Sequence, residues 1–458
     1  MSNTGNTATK TGTTTSTHNP NSVGRYRWVI CALLFWVTTA NYIDRGVFGN
    51  LAPEMPGRLH VPKAEWDVAY WNMQMVFSAA YAVSMLLMGR LMDVLGLRWG
   101  FVIACAFWGL ASMSHAFAPE IGSLFGGAIS GFFVCRILLG LGEGGNFPAA
   151  IKTTAEWFPK RERALATGLF NSGSNVGGLL VPWALPFVLA LNIGGFVLGW
   201  RGAFLITALI DLCWIIAWLL IYKKPEEHPR VSKAELALIQ GEAAEPTVKI
   251  PWRKLLPHKQ MWAFIVAKFM TDCFWWFYLF GSPDFFNKKF NLDPNGRKYM
   301  IAMIYVVASV GSIAGGWLAG FFMKKGWSVN KARKITMLIC SAFVVPVVFS
   351  AITENKWVAA VLITIAASAH QAWSANVFSL AGDMFPKRVV GSVTGLGGMV
   401  GAAGGIALFY TTGKVLHQTG NYLPVFVMAS LAYVVSLLIV HVLVPKLDPA
   451  QVEERANE

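Results

Sequence analysis

Charged residues and cysteines are both scarce in this 458-residue sequence. Charged side chains make up 14% of the chain, whereas a soluble protein usually has about a quarter. This scarcity excludes an ordinary soluble globular protein. The six cysteines lie in apolar segments without the paired spacing of a disulfide framework or a metal site. We therefore expect no disulfides, no bound metal and no cofactor.

Long apolar stretches are abundant instead, and 55% of the residues are hydrophobic. Stretches of about 18 to 25 apolar residues recur along the chain, which is the length that a helix needs to cross a bilayer. The sequence therefore predicts an all-α integral membrane protein with twelve transmembrane helices embedded in the lipid bilayer. The predicted spans are 27–51, 66–88, 97–118, 122–150, 163–191, 200–222, 259–283, 298–323, 333–352, 356–381, 389–415 and 422–445.

The formal net charge of +14 has an uneven distribution. Most lysines and arginines fall in the even-numbered loops and the two termini, which is the positive-inside pattern. Both termini and the loop at 223–258 are therefore expected in the cytoplasm. The excess of basic over acidic residues therefore does not require a nucleic-acid partner. The Thr-rich segment 1–24 lacks the apolar core of a signal peptide and is expected to be a disordered cytoplasmic tail.

An internal repeat divides the chain into two halves. EWFPKRERALATGLFNSGSNVGG at 156–178 and DMFPKRVVGSVTGLGGMVGAAGG at 383–405 share FPKR, TGL and GG in register. Such a repeat is typical of secondary transporters, whose substrate site lies near the midplane between the halves. We predict a six-helix bundle at 25–222, a cytoplasmic linker at 223–258, a second six-helix bundle at 259–446 and a cytoplasmic tail at 447–458.

Ionisable residues within the spans are candidates for function, because a charge facing lipid is unfavourable. Arg136 and Glu143 are two turns apart on one face of the fourth helix. Neighbouring glycines should let the first helix approach, which would bring Asp44 near Arg136 or Glu143. The desolvated setting of Glu143 suits a proton carrier. A fixed ion pair with Arg136 is the alternative.

Arg45 follows Asp44 directly, so on a helix its side chain points about 100° away from that of Asp44. Its planar guanidinium suits a carboxylate in the central cavity, and a purely structural tether is the alternative. On the seventh helix, Lys268 and Asp272 share one face and either pair with each other or leave Lys268 as a second cation for the substrate. We have no role for Asp211.

Polar residues that face the predicted cavity are candidates for recognising hydroxyl groups. His370 stands at the repeat position of Glu143, which puts it on the cavity face of the tenth helix. Trp275 or Trp276 is a candidate for stacking on a sugar ring. The remaining candidates are Asn171, Asn175, Gln371, Trp373 and Asn376.

GRLMDVLGLRWG at 89–100 resembles the loop motif of the major facilitator superfamily. Gly89, Asp93 and Arg98 fit that motif, whereas Val94 and Trp99 stand where basic residues are usual. The resemblance implies a conformational latch in which Asp93 contacts cations of a neighbouring helix. It also implies the major facilitator fold, two pseudo-symmetric six-helix bundles.

Four segments resemble the anion:cation symporter family, most closely its bacterial hexuronate transporters. The resemblance implies proton-coupled uptake of a sugar-acid anion such as glucuronate or galacturonate, by alternating access in the bacterial inner membrane. It further implies that Asp44 and Glu143, with Arg136, couple the proton, and that Arg45, Tyr42 and Tyr81 bind the sugar acid. The segments are NYIDRG at 41–46, RILLGLGEGGNFPA at 136–149, EWFPKRERALATGLFNSGSNVG at 156–177 and HQAWSANVFSLAGDMFPKRVVGSVTGLGGMVGA at 370–402.

Other functions remain open at this stage. The transported anion is alternatively galactonate, glucarate or a dicarboxylate, and sodium is an alternative to the proton. A transporter-like sensor and a drug-efflux protein are further alternatives. No nucleophile–base set points to an enzyme. A monomer is expected.

Overall fold

The computed structural model describes residues 24–193, 196–241, 252–292 and 294–452. Most of the predicted tail at 1–24, part of the linker and the last six residues therefore lie outside the described residues. The helices are α1 (Arg27–Leu51), α2 (Met55–Leu59), α3 (Lys63–Leu95), α4 (Leu97–Ser114), α5 (Ala118–Ser123), α6 (Ala128–Glu143), α7 (Asn146–Trp157), α8 (Lys160–Ala190), α9 (Gly199–Ile221), α10 (Lys233–Gln240), α11 (Lys259–Trp276), α12 (Ser282–Phe290), α13 (Pro294–Lys324), α14 (Val329–Val344), α15 (Lys356–Met384), α16 (Val390–Thr419) and α17 (Leu423–Leu443). Two-residue strands β1 (Asn192–Ile193) and β2 (Phe196–Val197) pair between α8 and α9.

These helices form twelve long rods, each made of one helix or of helical pieces joined end to end. A turn of 3₁₀ helix, His115–Phe117, joins α4 to α5, and a π-helical turn, Phe277–Gly281, joins α11 to α12. The pair α6 and α7 is broken only at Gly144 and Gly145, and a 3₁₀ segment, Val345–Ala351, extends α14. The rods occupy the places of the twelve predicted spans, so the fold prediction is confirmed.

Ten of the described helices or helix pairs are long and apolar enough to cross a membrane. The two remaining rods begin with α1 and α11. These helices carry buried polar residues, Asn41 and Asp44 on α1 and Lys268 on α11, which lower their mean hydropathy. Both of these rods bring ionisable groups into the protein interior, as expected for intramembrane function.

The two bundles pack together through α8 against α13 and α3 against α16. Gly168 allows the first contact, because a side chain there would overlap the Ser312 carbonyl. Gly395 allows the second, because a side chain there would overlap the Met85 carbonyl. Small residues at these crossings let the helix backbones approach closely, as in other membrane bundles.

The end of this interface that the charge pattern predicts to be cytoplasmic is closed by Asp93. Its carboxylate accepts hydrogen bonds from the backbone N–H groups of Gly391 (3.2 Å) and Ser392 (2.7 Å) at the start of α16. Lys152 Nζ lies 2.8 Å from the same carboxylate. A carboxylate at a helix N-terminus is favourably placed. Asp93 therefore joins the first bundle to the second, and a side chain at Gly89 would overlap the Gly391 carbonyl.

Arg98 takes no part in this contact between the bundles. Its Nη2 donates to the Leu219 carbonyl at 3.3 Å, within the first bundle. At the place that the internal repeat relates to this contact, cationic side chains bridge the two bundles. Arg333 donates to the Lys160 carbonyl (3.0 Å) and Arg163 donates to the Gly382 carbonyl (2.6 Å).

Replacing Asp93 with alanine should weaken the closed state of this end by roughly 1.5–3 kcal/mol, the usual loss for charged hydrogen bonds. Such a loss corresponds to about tenfold or more in the open population. We expect a cysteine introduced at Ser374, in a background without other cysteines, to react faster with a charged maleimide added from the cytoplasmic side. Arg98→Ala is the matched control and should leave that rate unchanged. Equal rates in both variants would contradict a latch at Asp93.

The described part of the linker packs against the first bundle. Glu235 of α10 is fully buried and accepts hydrogen bonds from the backbone N–H groups of Tyr26 (3.2 Å) and Arg27 (3.1 Å). It thereby caps the N-terminus of α1, whose first N–H groups have no partner within the helix. After α17, the Ala450 N–H donates to the Met384 carbonyl at 2.7 Å, so the first part of the predicted tail is folded against α15.

Candidate functional site

A cavity lies between the two bundles, near the middle of the long helices. Each bundle contributes aromatic and polar side chains to its wall, as the repeat predicts for a substrate site. The ionisable groups in the wall are Lys268, Asp272 and His370. The lining residues are Tyr42, Tyr81, Met85, Phe147, Asn171, Ser174, Lys268, Asp272, Trp275, Trp276, His370, Gln371, Ser374, Phe378, Gly398 and Ala402.

Arg45 lies directly behind two tyrosines of the cavity wall. Its guanidinium carbon is 4.8 Å from the ring centre of Tyr42 and 4.4 Å from that of Tyr81. Its Nε forms an ion pair with Glu143. Its Nη2 has no hydrogen-bond partner among the described residues. Arg45 therefore holds one carboxylate and has a free donor close to the cavity.

Asp44 faces in another direction. Its Oδ1 accepts a hydrogen bond from Ser112 Oγ at 2.7 Å, and Ser112 is 3.0 Å from Thr207 Oγ1. Asp44 lies near Glu143, as expected, but it is Arg45 that makes the direct contact with the Glu143 carboxylate. The two neighbours diverge as the helix geometry requires: Arg45 pairs with Glu143, whereas Asp44 is bonded by Ser112.

Arg136 is not within ion-pair distance of Glu143 in the described structure. Its Nη2 donates to Gln74 Oε1 at 2.5 Å. Its guanidinium carbon lies 4.1 Å from the ring centre of Phe77 and 4.9 Å from that of Phe48. Cation–π contacts of this kind stabilise a buried guanidinium. The alternative of a fixed Arg136–Glu143 pair is therefore excluded for this conformation.

Lys268 and Asp272 pair with each other, which the sequence left open. The Nζ–Oδ2 distance is 2.5 Å, and Lys268 Nζ also lies 3.6 Å from the ring centre of Phe378. Both members of the pair line the cavity. Lys268 is therefore a cation within reach of a substrate, but its charge is already compensated by Asp272.

His370 is held in a fixed orientation at the cavity wall. Its Nδ1 is 2.7 Å from the Tyr433 hydroxyl. Its ring stacks on Trp275 with a centroid distance of 5.4 Å and an interplanar angle of 11°. This combination leaves Nε2 as the ring nitrogen available to a ligand.

Two of the predicted hydroxyl-binding amides meet across the cavity. Asn171 Nδ2 donates to Gln371 Oε1 at 2.6 Å, which joins α8 to α15. Asn175, one turn further along α8, is buried and does not line the cavity. Its side-chain nitrogen and oxygen have no partner among the described residues.

The Major Facilitator Superfamily model matches residues 34–409. The chain belongs to this superfamily. Members are transporters, and this facilitator is a multi-pass membrane protein rather than an enzyme. It is 28% identical to "Uncharacterized transporter YybO" of Bacillus subtilis, over 91% of this chain and 93% of that protein.

The facilitator is also similar to the "Hexuronate transporter" of Escherichia coli K12. The two are 26% identical over 90% of this chain and 93% of that transporter. Among solved structures it resembles the proton:xylose symporter XylE, with a TM-score of 0.72 and 13% identity. The alignment covers 92% of this chain and 97% of that one. This likeness supports the fold alone.

Two further residues predicted to face the facilitator's cavity, besides Asn175, do not line it. Asn376 donates to the Gly315 and Ala372 carbonyls (3.1 and 2.9 Å), so its amide is used within the second bundle. Trp373 is fully buried and packs edge-on against Tyr433. Successive residues of α15 point in different directions, so only His370, Gln371, Ser374 and Phe378 of that helix reach the cavity.

The sequence did not identify several residues that form the site. Phe147 and Phe378 stack on each other across the bundles, with a centroid distance of 5.4 Å. Gln74 is the hydrogen-bond partner of Arg136, and Tyr433 orients His370. Aromatic residues are frequent throughout this chain, so no spacing marked Phe147 or Phe378. The repeat was the usable signal, since it had already placed α15 beside the cavity.

Proposed function

We propose that this facilitator takes up an anionic sugar acid, a hexuronate such as glucuronate or galacturonate, together with a proton. The observation that carries the proposal is the position of Arg45, between the Glu143 carboxylate and two tyrosines of the cavity wall. An arginine in this place links a substrate carboxylate to a carboxylate that can be protonated. The relative named as a hexuronate transporter supports the substrate class.

Arg45 is the better of the two cations near the cavity for holding the substrate carboxylate. Lys268 is compensated by Asp272 at 2.5 Å, so an incoming anion would have to compete with that partner. Arg45 keeps one guanidinium nitrogen without a partner among the described residues. A guanidinium fork also binds a carboxylate through two parallel hydrogen bonds, which an ammonium group does not.

Coupling follows from competition for Arg45. While Glu143 is ionised, Arg45 is occupied by its carboxylate and is less available to the substrate. Protonation of Glu143 removes the charge that holds the pair together. The guanidinium is then free to bind the sugar acid, so proton and substrate should bind cooperatively and each should raise the affinity for the other.

The remaining lining groups suit the hydroxyl groups and ring of a sugar. The Trp275 ring is held in the wall by His370 and offers an apolar face for the sugar. Asn171 and Gln371 already bond to each other across the cavity, so a hydroxyl that inserts between them would find one donor and one acceptor. Such an insertion would also couple binding to the approach of the two bundles.

We place the transporter in the bacterial inner membrane, as a monomer with both termini in the cytoplasm. The positive-inside pattern supports this orientation. In it, the end closed by Asp93, Arg163 and Arg333 faces the cytoplasm. The structure then corresponds to a state closed towards the cell interior, one of the two states that alternating access requires.

Counterflow in proteoliposomes tests the substrate class. Purified protein is reconstituted with an unlabelled acid inside, and entry of the same labelled acid is measured for glucuronate, galacturonate, galactonate, glucarate and a short dicarboxylate. We expect the hexuronates to exchange fastest. Faster exchange of galactonate or glucarate would assign that acid instead. Exchange of no acid, with protein shown to be folded, would reject the proposed function.

A further inference from the structure

Two buried carboxyl groups meet inside the first bundle, away from the cavity. Asp44 of α1 and Asp211 of α9 are each 1% exposed. Asp211 shares a face of α9 with Thr207, one turn away, and this face packs against α1 and α4. On α4, Gly109 leaves room for the Asp211 carboxyl, because a side chain there would press against it.

The hydrogen bonds around this pair are incomplete. Asp44 Oδ1 is bonded by Ser112, which also contacts Thr207. Asp44 Oδ2 and both oxygens of Asp211 have no donor among the described residues. The two side chains interact where α1 packs against α9, next to the Ser112 and Thr207 hydroxyl groups, and the Trp108 indole also acts on Asp211. A proton between them would supply the missing donor.

No cation forms an ion pair with either carboxyl group in the described residues. Arg45, the nearest arginine along the chain, pairs with Glu143. The other titratable groups that act on the pair are the Cys105 thiol on α4 and the Glu143 carboxylate on α6, whereas His115, on the turn after α4, stacks on Phe204. Two ionised carboxylates this close in a dry interior repel each other strongly, so the pair is stable only with a proton bound.

We propose that Asp44 and Asp211 hold one proton between them and that Asp211 is thereby a further proton-coupling residue of the transporter. This inference rests on the proposed function for its role in transport. The helix that carries Asp44 also carries Arg45, so a shift of α1 when the substrate leaves Arg45 would move Asp44 relative to α9. Separation of the two carboxyl groups breaks the hydrogen bond that holds the shared proton, which then passes to water that enters from the open side, together with release of the substrate.

Asp211→Asn tests the inference, because asparagine keeps the size of the side chain but cannot take up or release a proton. We expect counterflow of the best substrate to stay within about threefold of the wild-type rate. Accumulation driven by an imposed proton gradient should fall at least tenfold, and the pH at half-maximal uptake should move by about one unit towards acid. Cys213→Ser, an exposed position two residues further along α9, is the matched control. It should behave as wild type.

A measurement without substrate separates this inference from the proposed function. Infrared spectra of the purified full-length protein at neutral pH should contain a carboxylic-acid C=O band that loses intensity in Asp211→Asn and in Asp44→Asn. If no acid is exchanged by the wild-type protein, the proposed function fails while this band still decides the inference. An unchanged band in both variants, or wild-type accumulation with an unchanged pH profile in Asp211→Asn, overturns it. If Asp211→Asn does not fold, Asp44→Asn alone decides, because the inference expects the band to lose intensity in that variant as well.

Discussion

Arg45→Ala should lower the affinity for the sugar acid at least 100-fold, the largest effect expected of any single substitution in this transporter. The substitution removes the free guanidinium donor beside Tyr42 and Tyr81, and it leaves Glu143 buried without its cation. Arg45→Lys keeps the charge but loses the fork. Its cost should be about 1.5–3 kcal/mol, which is roughly 10- to 150-fold in the dissociation constant. Isothermal titration of the purified protein with the acid measures both.

Arg201→Ala is the control for these measurements. Arg201 is exposed and pairs with Glu120 at 2.6 Å, away from the cavity, so its loss should leave affinity within about twofold because exposed ion pairs contribute little. An Arg45→Ala protein that folds and binds with wild-type affinity would contradict the assignment. Loss of binding in Lys268→Met alone would then place the substrate carboxylate at the α11 side of the cavity.

Glu143→Gln should separate exchange from accumulation. Glutamine imitates the protonated carboxyl group, so Arg45 is freed at every pH and the sugar acid should bind at least as tightly as in the wild type. Counterflow should therefore persist. Concentrative uptake under an imposed proton gradient should fall at least tenfold, because no proton needs to bind or leave at this position during the cycle. Parallel assays of counterflow and gradient-driven uptake in the same proteoliposomes measure the two properties.

Glu120→Gln is the matched control, since Glu120 is an exposed glutamate of the same bundle whose partner is Arg201. It should retain both activities. Full proton-driven accumulation by Glu143→Gln would remove Glu143 from the coupling mechanism and leave Asp44 and Asp211 as the candidates. Loss of counterflow in a folded Glu143→Gln protein would mean instead that the Arg45–Glu143 pair positions the site.

The architecture was predictable from the sequence because it depends on local and repeated features. Helix spans follow from apolar length, and every predicted span coincides with a rod of the structure. The repeat correctly indicated a cavity formed by both halves. It also placed His370 and Gln371 at the cavity, and the search for ionisable residues within the spans identified Lys268, which lines it as well. Periodicity further showed that Asp44 and Arg45 must point in different directions.

The partners of the buried charges were not predictable in the same way. Helix geometry gives the angle between two side chains, but the groups found in those directions depend on how distant helices pack. Gly173 and Gly177 of α8 pack closely on α1, and α1 also contacts α9. That packing presents Ser112 and Thr207 to Asp44 and presents Glu143 to Arg45.

The positions of Asn376 and Asp211 depended on the same kind of information. Asn376 was predicted to bind a substrate hydroxyl because it is polar and belongs to a helix that lines the cavity. Its amide instead donates hydrogen bonds to backbone carbonyls of α13 and α15. No role for Asp211 could be inferred from the sequence, because its partner, Asp44, is far away along the chain. The sequence by itself therefore determined the twelve-helix architecture, the location of the cavity and most of the candidate residues. Only the tertiary structure decided which ionisable groups meet, because those contacts are set by packing between helices rather than by spacing along one.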